Sequence, residues 1–195
     1  MQEDGVNVQE NYTYISDKKR AGRLGALNIF LSIIIVLLLI ALIIFTTTIT
    51  SIKVRGESMM PNLVDGDRLV LLKRGYTLEY GDIVVFHREQ DEDAAVKRII
   101  AKGGDVISFD KEALKWVRNG EYVEEDAYFN GEYSESYFSS MLFELQGNGL
   151  TIPEGHLFVL GDNRNMPGSY VSKDSHMYGS LSEDTVLGKV IHIIN

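Results

Sequence analysis

A long apolar stretch near the N-terminus constrains this chain more than any other feature. No charged residue occurs from Leu24 to Ile52, and Ile29 to Phe45 is almost unbroken Ile, Leu, Val and Phe. At about 1.5 Å per residue, a helix of this length crosses a hydrocarbon layer of roughly 30 Å. The sequence therefore predicts a transmembrane helix over residues 26–50, with the lipid bilayer as a partner.

The residues beside this stretch predict its orientation. Four basic residues come shortly before it: Lys18, Lys19, Arg20 and Arg23. A basic cluster at one end of a span is retained in the cytoplasm. The apolar run is also longer than the roughly 7–15 residues typical of a cleavable signal peptide. We therefore expect a single-pass cell-membrane protein with a cytoplasmic tail at 1–25 and an extracytoplasmic domain at 51–195.

The composition of the outer domain excludes some functions. The first 50 residues hold equal numbers of basic and acidic groups, so the whole formal net charge of −9 lies beyond them. Nucleic-acid binding requires a basic face that neutralises phosphates, and this balance is the opposite. The chain has no cysteine, so a hydrophobic core must stabilise the domain without disulfides. We expect no nucleic-acid partner, no metal and no cofactor.

Short runs of β-branched and aromatic residues between Gly-Asp turns predict a mainly β domain, an antiparallel sheet or barrel. The predicted strands are Arg68–Leu72, Ile83–Phe86, Val96–Ala101, Val106–Phe109, Leu157–Leu160 and Val186–Ile194.

A stretch crowded with acidic and aromatic residues, about 110–150, interrupts this pattern. Asn119-Gly120 predicts a hairpin there, so we expect a small β insertion with a short helix near Ser139 to Gln146. This insertion is either a solvated lobe that packs its own aromatic rings or a surface for a substrate or partner.

Ser58 is the first candidate for chemistry because it stands a few residues beyond the predicted span. In the segment Gly56-Glu57-Ser58-Met59-Met60-Pro61, glycine permits close approach of a substrate and proline fixes the following turn. The alternative is an ordinary loop with buried methionines. A serine needs a base to accept its proton. The histidines, His87, His156, His176 and His192, lie outside any Ser and Asp constellation and are expected at the surface or as caps.

Lys97 is the candidate base because it is embedded in the apolar strand Ala94 to Ile100. A free lysine is neutral in only about 0.04% of molecules at pH 7, too few for an efficient base. Burial that lowers its pKa by about 2 units raises that fraction roughly a hundredfold. The alternative is a lysine on the solvent face of an alternating strand.

A third segment follows a hydrophobic strand at Gly161-Asp162-Asn163-Arg164. It predicts a tight turn whose polar side chains cap backbone groups, with Arg164 free to form an ion pair. A hydroxyl from the downstream stretch Ser172 to Gly179 could orient a neutral lysine.

These segments, in this order after a membrane anchor, resemble the motifs of bacterial type I signal peptidases. Ser58-Met59-Met60-Pro61 resembles the nucleophile motif, and Val96-Lys97-Arg98 with Gly104-Asp105 resembles the lysine motif. Gly66-Asp67 and Gly81-Asp82 both resemble the Gly-Asp-hydrophobic motif, and Gly161 to Arg164 the Gly-Asp-Asn-Arg motif. Lys97 stands at the position where endoplasmic-reticulum relatives have histidine, and in this respect the chain resembles the bacterial enzymes. Its single span resembles the smaller Gram-positive forms.

The resemblance implies a serine endopeptidase that removes signal peptides from exported pre-proteins, near the secretion translocon. Ser58 would be the nucleophile and an oxyanion-hole donor, and Lys97 the general base. Asp162 and Arg98 would brace the site, and Ser172 would hold the lysine amine. Ser172 is favoured over Ser169 because Asp174, Ser175 and Gly179 then match the spacing of the family pattern. The substrate would add as a strand and end in an Ala-x-Ala-like sequence. The residues beside it would be Gly56, Glu57, Met59, Ala95 and Val96.

The chain departs from the family pattern at several positions. Asn62 replaces the usual Thr or Ser after the proline, and a glycine, Gly103 or Gly104, replaces the proline of one turn. His176 stands where arginine is expected, and Gly56 offers no hydroxyl as a second oxyanion donor.

Two other functions remain as alternatives. One is a non-catalytic or narrow-specificity factor in pilus or surface-protein assembly, which would be expected to lose the nucleophile or base. The other is a self-cleaving repressor, against which the membrane span argues.

Overall fold

The computed structural model describes residues 8–166 and 173–194, and the chain forms two compact units, 1–47 and 48–195. The first unit contains all but the last residue of α1 (Val8–Thr48). Its segment Arg23–Thr48 has a mean hydropathy of 3.4 and is long enough to cross a membrane. None of that segment is buried by protein, which fits a membrane anchor.

The second unit is built from two antiparallel sheets, which confirms the mainly β prediction. The first sheet has the order β1-β2-β11-β3-β4-β9-β10 and the second β7-β6-β5-β8. The strands are β1 (Ile49–Lys53), β2 (Arg68–Leu72), β3 (Ile83–Phe86), β4 (Ala95–Lys102), β5 (Val106–Asp110), β6 (Lys115–Arg118), β7 (Glu121–Tyr122), β8 (Leu150–Thr151), β9 (His156–Leu160), β10 (Leu181–Ser182) and β11 (Val186–Ile194). Two short helices, α2 (Glu135–Ser139) and α3 (Ser175–Tyr178), join them.

The predicted strands all form, and one more precedes them. β1 follows α1 directly and pairs antiparallel with β2, so that Ile49 lies opposite Leu72. The sequence did not predict β1, because the residues of this strand continue the apolar run of the helix. Asn119 and Gly120 form the expected hairpin between β6 and β7, both with positive φ, 55° and 86°.

The predicted short helix is displaced. α2 begins at Glu135, earlier than expected, because the Ser134 side chain caps it by accepting the Tyr137 backbone N–H. The interval predicted as helix contains only a 3₁₀ turn at Phe143–Gln146. A capping serine five positions before the predicted start was the missed signal.

The insertion shares its core with the first sheet. Trp116 and Tyr137 are fully buried and belong to one cluster with Ile100 and Phe158 of the first sheet. The rings of Phe109 and Trp116 meet edge to face at 5.1 Å. The aromatic residues of this stretch therefore pack on one another, and their core is continuous with the rest of the domain.

A buried ion pair fastens this lobe to the turn after β9. Arg164 is 1% exposed and Glu125 is 7% exposed. Arg164 Nη1 donates to Glu125 Oε2 at 2.8 Å, Nη2 donates to Oε1, and the guanidinium lies over the Phe129 ring at 4.2 Å. Removing one member of such a pair leaves a buried charge without its partner.

We expect Glu125→Gln to lower the free energy of unfolding by about 3–5 kcal/mol, because Arg164 then stays buried and unpaired. The double variant Glu125→Leu with Arg164→Met should lose less than the sum of the single changes. Fluorescence of Trp116, the single tryptophan, measures unfolding. Arg55→Met is the control because its pair with Asp93 is about 80% exposed, and its stability should stay near wild type. If the losses in free energy of unfolding were additive, Glu125 and Arg164 would not be a coupled pair.

Candidate functional site

Ser58 lies in a turn that is fixed from both sides. Met59 is 2% exposed and Leu63 is fully buried, and both pack into the core beneath the turn. Gly56 has φ of 86°, a left-handed conformation that favours glycine, and its N–H donates to Asp65 Oδ1 at 2.9 Å. The Ser58 hydroxyl is therefore half-buried at the edge of the core while the preceding backbone stays exposed.

Lys97 is buried in the middle of β4, next to Ser58. The residue is only 4% exposed, and its Nζ lies 2.6 Å from Ser58 Oγ. Nζ also donates to the Val96 carbonyl oxygen at 2.9 Å. The sequence alternative of a solvent-facing lysine is wrong. The register explains why, because Lys97 pairs with Val84, a core residue of β3.

Burial lowers the pKa of Lys97 from its ordinary value of 10.5, because an ammonium loses its hydration there. Three carboxylates, Asp174, Asp162 and Asp91 in order of effect, oppose this shift and raise the pKa. A neutral amine at hydrogen-bond distance from a hydroxyl can accept its proton and make the oxygen nucleophilic. This pair of side chains therefore has the geometry for base-assisted attack.

Asp162 is bound by Arg98 and Asn62. Arg98 Nε donates to Asp162 Oδ1 at 2.8 Å and Nη2 donates to Oδ2 at 2.6 Å, a bidentate pair. Asn62 Nδ2 donates to the same Oδ2 at 2.9 Å and to the Tyr128 carbonyl at 2.6 Å. Asn62, noted in the sequence only as a departure from the family pattern, thus connects the Ser58 turn both to Asp162 and to the lobe.

Asn163 holds the backbone of the turn that carries Ser58. Its N–H donates to the Ser58 carbonyl at 3.0 Å, and its side-chain amide donates to the Glu57 carbonyl at 3.1 Å. These two bonds fix the peptide that carries Ser58 from residues more than 100 positions away. Sequence reasoning did not assign this role to Asn163, and no local pattern shows it.

Asp174 lies at the start of α3, against the end of β9. It accepts the Gly161 backbone N–H at 2.8 Å and caps α3. Ser175 Oγ accepts the Val159 N–H at 2.9 Å. Ser172 and Ser169, the candidates for orienting Lys97, lie outside the described residues.

His176 is fully buried, so the expectation of a surface histidine is wrong. Its ring stacks on Tyr137 and contacts Asp174.

A groove of about 990 Å³ leads to Ser58 and Lys97. One wall is the chain from Ile52 to Met59, and the other is the chain from Gln90 to Lys97. All five residues predicted to lie beside a substrate line it: Gly56, Glu57, Met59, Ala95 and Val96. Met59 contributes only an edge, because most of its surface is in the core.

Comparisons with known proteins give consistent results. The family described as signal peptidase, peptidase S26, matches residues 27–194. Signal peptidase IB of Staphylococcus aureus (strain Mu50) is 34% identical over 151 residues, which cover 73% of this chain and 75% of that protein. Probable signal peptidase I-1 of Synechocystis sp. is 33% identical over 148 residues, covering 69% and 65%.

A crystal structure of a signal peptidase I from Enterococcus faecalis V583 is 28% identical, with a TM-score of 0.43, and covers 60% of this chain and 98% of that chain. The family profile spans both the anchor and the β domain, and it confirms the resemblance found from the ordered motifs. This chain therefore belongs to the signal peptidase family, peptidase S26.

Proposed function

We propose that this protein is a membrane-bound serine endopeptidase that removes signal peptides from exported pre-proteins, with Ser58 as nucleophile and Lys97 as general base. Membership of the family makes it a serine endopeptidase. The observation that carries the assignment to residues is the 2.6 Å separation of Lys97 Nζ and Ser58 Oγ, with the amine buried. Relatives named signal peptidase IB support the class of substrate.

The proposed reaction has two halves. Ser58 Oγ attacks the scissile carbonyl carbon while its proton moves to Lys97 Nζ, and the carbonyl oxygen becomes negative. The Ser58 backbone N–H stabilises that oxygen. Lys97 then gives its proton to the leaving amine, and an acyl group remains on Ser58. A water molecule, deprotonated by Lys97, hydrolyses the acyl-enzyme and restores both groups.

The open strand edges support binding of an extended substrate. β1 is an edge strand of its sheet among the described residues. β9 pairs with β4 only from Arg98 onward, so Ala95 to Lys97 have no β9 partner. A substrate segment can therefore add between the two walls through backbone hydrogen bonds and bring its carbonyl to Ser58. We propose that small side chains at the cleavage site fit beside Ala95 and Val96.

The residues around the pair have supporting roles in this proposal. Asp162 and Arg98 brace β4 against the turn after β9, through two charge-assisted bonds. Asp174 fixes the end of β9 and lies close enough to raise the pKa of Lys97. Ser172 remains our candidate for holding the lysine amine. None of these roles requires the side chain to react.

Replacing either member of the pair should abolish processing. We expect Ser58→Ala and Lys97→Met each to lower cleavage of an exported precursor by at least about 10³-fold, because neither residue works alone. The assay uses the full chain in proteoliposomes. Ser51→Ala and Lys102→Met are matched controls on β1 and β4 and should keep activity. Cleavage by either Ser58→Ala or Lys97→Met at the wild-type rate would refute the mechanism, whereas no cleavage by the unaltered protein would favour an assembly factor.

The pH dependence of cleavage should follow the amine. Lys97 acts as a base only when neutral, so the rate should rise with pH and level off above its pKa. Because burial lowers that pKa, the rise should end below 10.5, the ordinary lysine value. Initial rates measured from pH 6 to 11 test this expectation. A flat profile would show that Lys97 stays in one protonation state and is not the base.

We also propose that the tail is cytoplasmic and the β domain extracytoplasmic. Because the chain has no cysteine, single cysteines report topology directly. Tyr12→Cys and Lys111→Cys both place the thiol at an exposed residue. In intact cells a membrane-impermeant maleimide should label only Lys111→Cys, and after lysis it should label both. The reverse pattern would contradict the proposed orientation.

A further inference from the structure

Two donors hold the peptide bond between Glu57 and Ser58 from one side. The Glu57 carbonyl oxygen accepts the Met60 N–H at 3.1 Å and the Asn163 side-chain amide at 3.1 Å. The Ser58 carbonyl oxygen accepts the Asn163 backbone N–H at 3.0 Å. Asn163 therefore binds the carbonyl before the Ser58 Cα atom and also the carbonyl after it.

This contact determines where the Ser58 N–H points. The peptide bond between Glu57 and Ser58 is trans. In a trans peptide the carbonyl oxygen and the N–H lie in one plane and point in opposite directions. Because the Glu57 oxygen is directed at its two donors, the Ser58 N–H is directed away from Asn163. Among the described residues this N–H has no acceptor, and it is the group that the proposed reaction uses to stabilise the oxyanion.

Asn163 is itself held in place on every side. Its Oδ1 accepts the Asn165 N–H at 3.3 Å, which orients the amide nitrogen toward Glu57. Its neighbours Asp162 and Arg164 form largely buried ion pairs with side chains on β4 and on the lobe. The donor to the Glu57 carbonyl is thus fixed before a substrate arrives, and stabilisation of an oxyanion depends on such preorganised groups.

We infer that Asn163 is a positioning residue for the oxyanion hole and acts through the peptide between Glu57 and Ser58, an inference that rests on the proposed function. Its amide fixes the plane of that peptide. A hydrogen bond to the carbonyl also polarises the peptide, which makes the N–H on the other side a stronger donor. The gain is largest when the scissile oxygen becomes negative. Because Asn163 lies outside the residues that line the groove, it acts on the reaction step and not on binding of the peptide.

The kinetics of Asn163→Ala test this role, because the variant loses the amide and keeps the backbone N–H. For a precursor that ends in an Ala-x-Ala-like sequence, cleaved by the full chain in proteoliposomes, kcat should fall about tenfold and KM should stay within about twofold. Loss of an oxyanion donor itself costs more, about 10²–10³-fold. The midpoint of the pH profile should not move, because the side chains that contact Lys97 are unchanged. Asn165→Ala removes an amide from the same turn, where it binds Glu132, and should match wild type.

A pair of inhibitors reports on the oxyanion directly. With a peptide aldehyde, Ser58 Oγ bonds to the aldehyde carbon, its proton passes to Lys97 Nζ, and the former carbonyl oxygen becomes an oxyanion. The matching peptide alcohol cannot form this adduct. Asn163→Ala should weaken inhibition by the aldehyde about tenfold and inhibition by the alcohol less than about twofold. Asn165→Ala should change neither.

Three results would overturn the inference. Equal weakening of both inhibitors, or a raised KM with kcat retained, would show that Asn163 only shapes the groove. A shifted pH midpoint with an unchanged plateau would show that it acts on the base. If Asn163→Ala does not fold, as Trp116 fluorescence reports, Asn163→Asp replaces it, because a carboxylate keeps the shape of the side chain and cannot donate. That variant should also lose at least about tenfold with the aldehyde alone, and an equal loss with both inhibitors would again overturn the inference.

Failure of this inference can be distinguished from failure of the proposed function. If the unaltered protein cleaves no precursor, or if Ser58→Ala cleaves at the wild-type rate, the proposed function fails. If cleavage depends on Ser58 and Lys97 while Asn163→Ala keeps the wild-type kcat, only the role of Asn163 is refuted.

Discussion

The proposed catalytic geometry depends on the burial of one amine. Lys97 is held in the interior of β4, and its amine contacts the Ser58 hydroxyl and a backbone carbonyl. Desolvation disfavours the ammonium, and each unit by which the pKa falls corresponds to about 1.36 kcal/mol between the two forms. The folded state binds this proton less tightly than the unfolded chain. Stability therefore rises with pH from the lowered pKa of Lys97 to the ordinary lysine value of 10.5. Under the proposed mechanism, the domain gives up stability at neutral pH to keep a base available.

Three consecutive side chains after β9 hold the parts of the site together. Asp162 binds Arg98 of β4, Asn163 binds the backbone of the Ser58 turn, and Arg164 binds Glu125 of the lobe. Each contact joins segments that are far apart in sequence, so a change at this turn acts on the Ser58 turn, β4 and the lobe together. The lobe therefore contributes to the site indirectly, through a buried ion pair and through the Tyr128 carbonyl that binds Asn62.

The parts of this structure that sequence could predict are those set by local chemistry. β-Branched runs between Gly-Asp turns gave β2, β3 and β11 with their observed bounds, and Asn119-Gly120 gave a hairpin because both residues accept positive φ. β1 was missed because an apolar strand joined to an apolar helix has no boundary signal. The burial of His176 and the role of Asn62 were missed because their partners come from distant elements. Local patterns carry no information about such contacts.

Charged side chains lie on both walls of the groove. Two unpaired strand edges facing each other are liable to pair with one another or with another molecule, and charged side chains limit this. Arg55 on one wall reaches Asp93 on the other at 3.9 Å, with both side chains about 80% exposed. Such a pair contributes at most about 1 kcal/mol. In the proposed binding mode, an entering strand can displace this pair at small cost and gain several backbone hydrogen bonds.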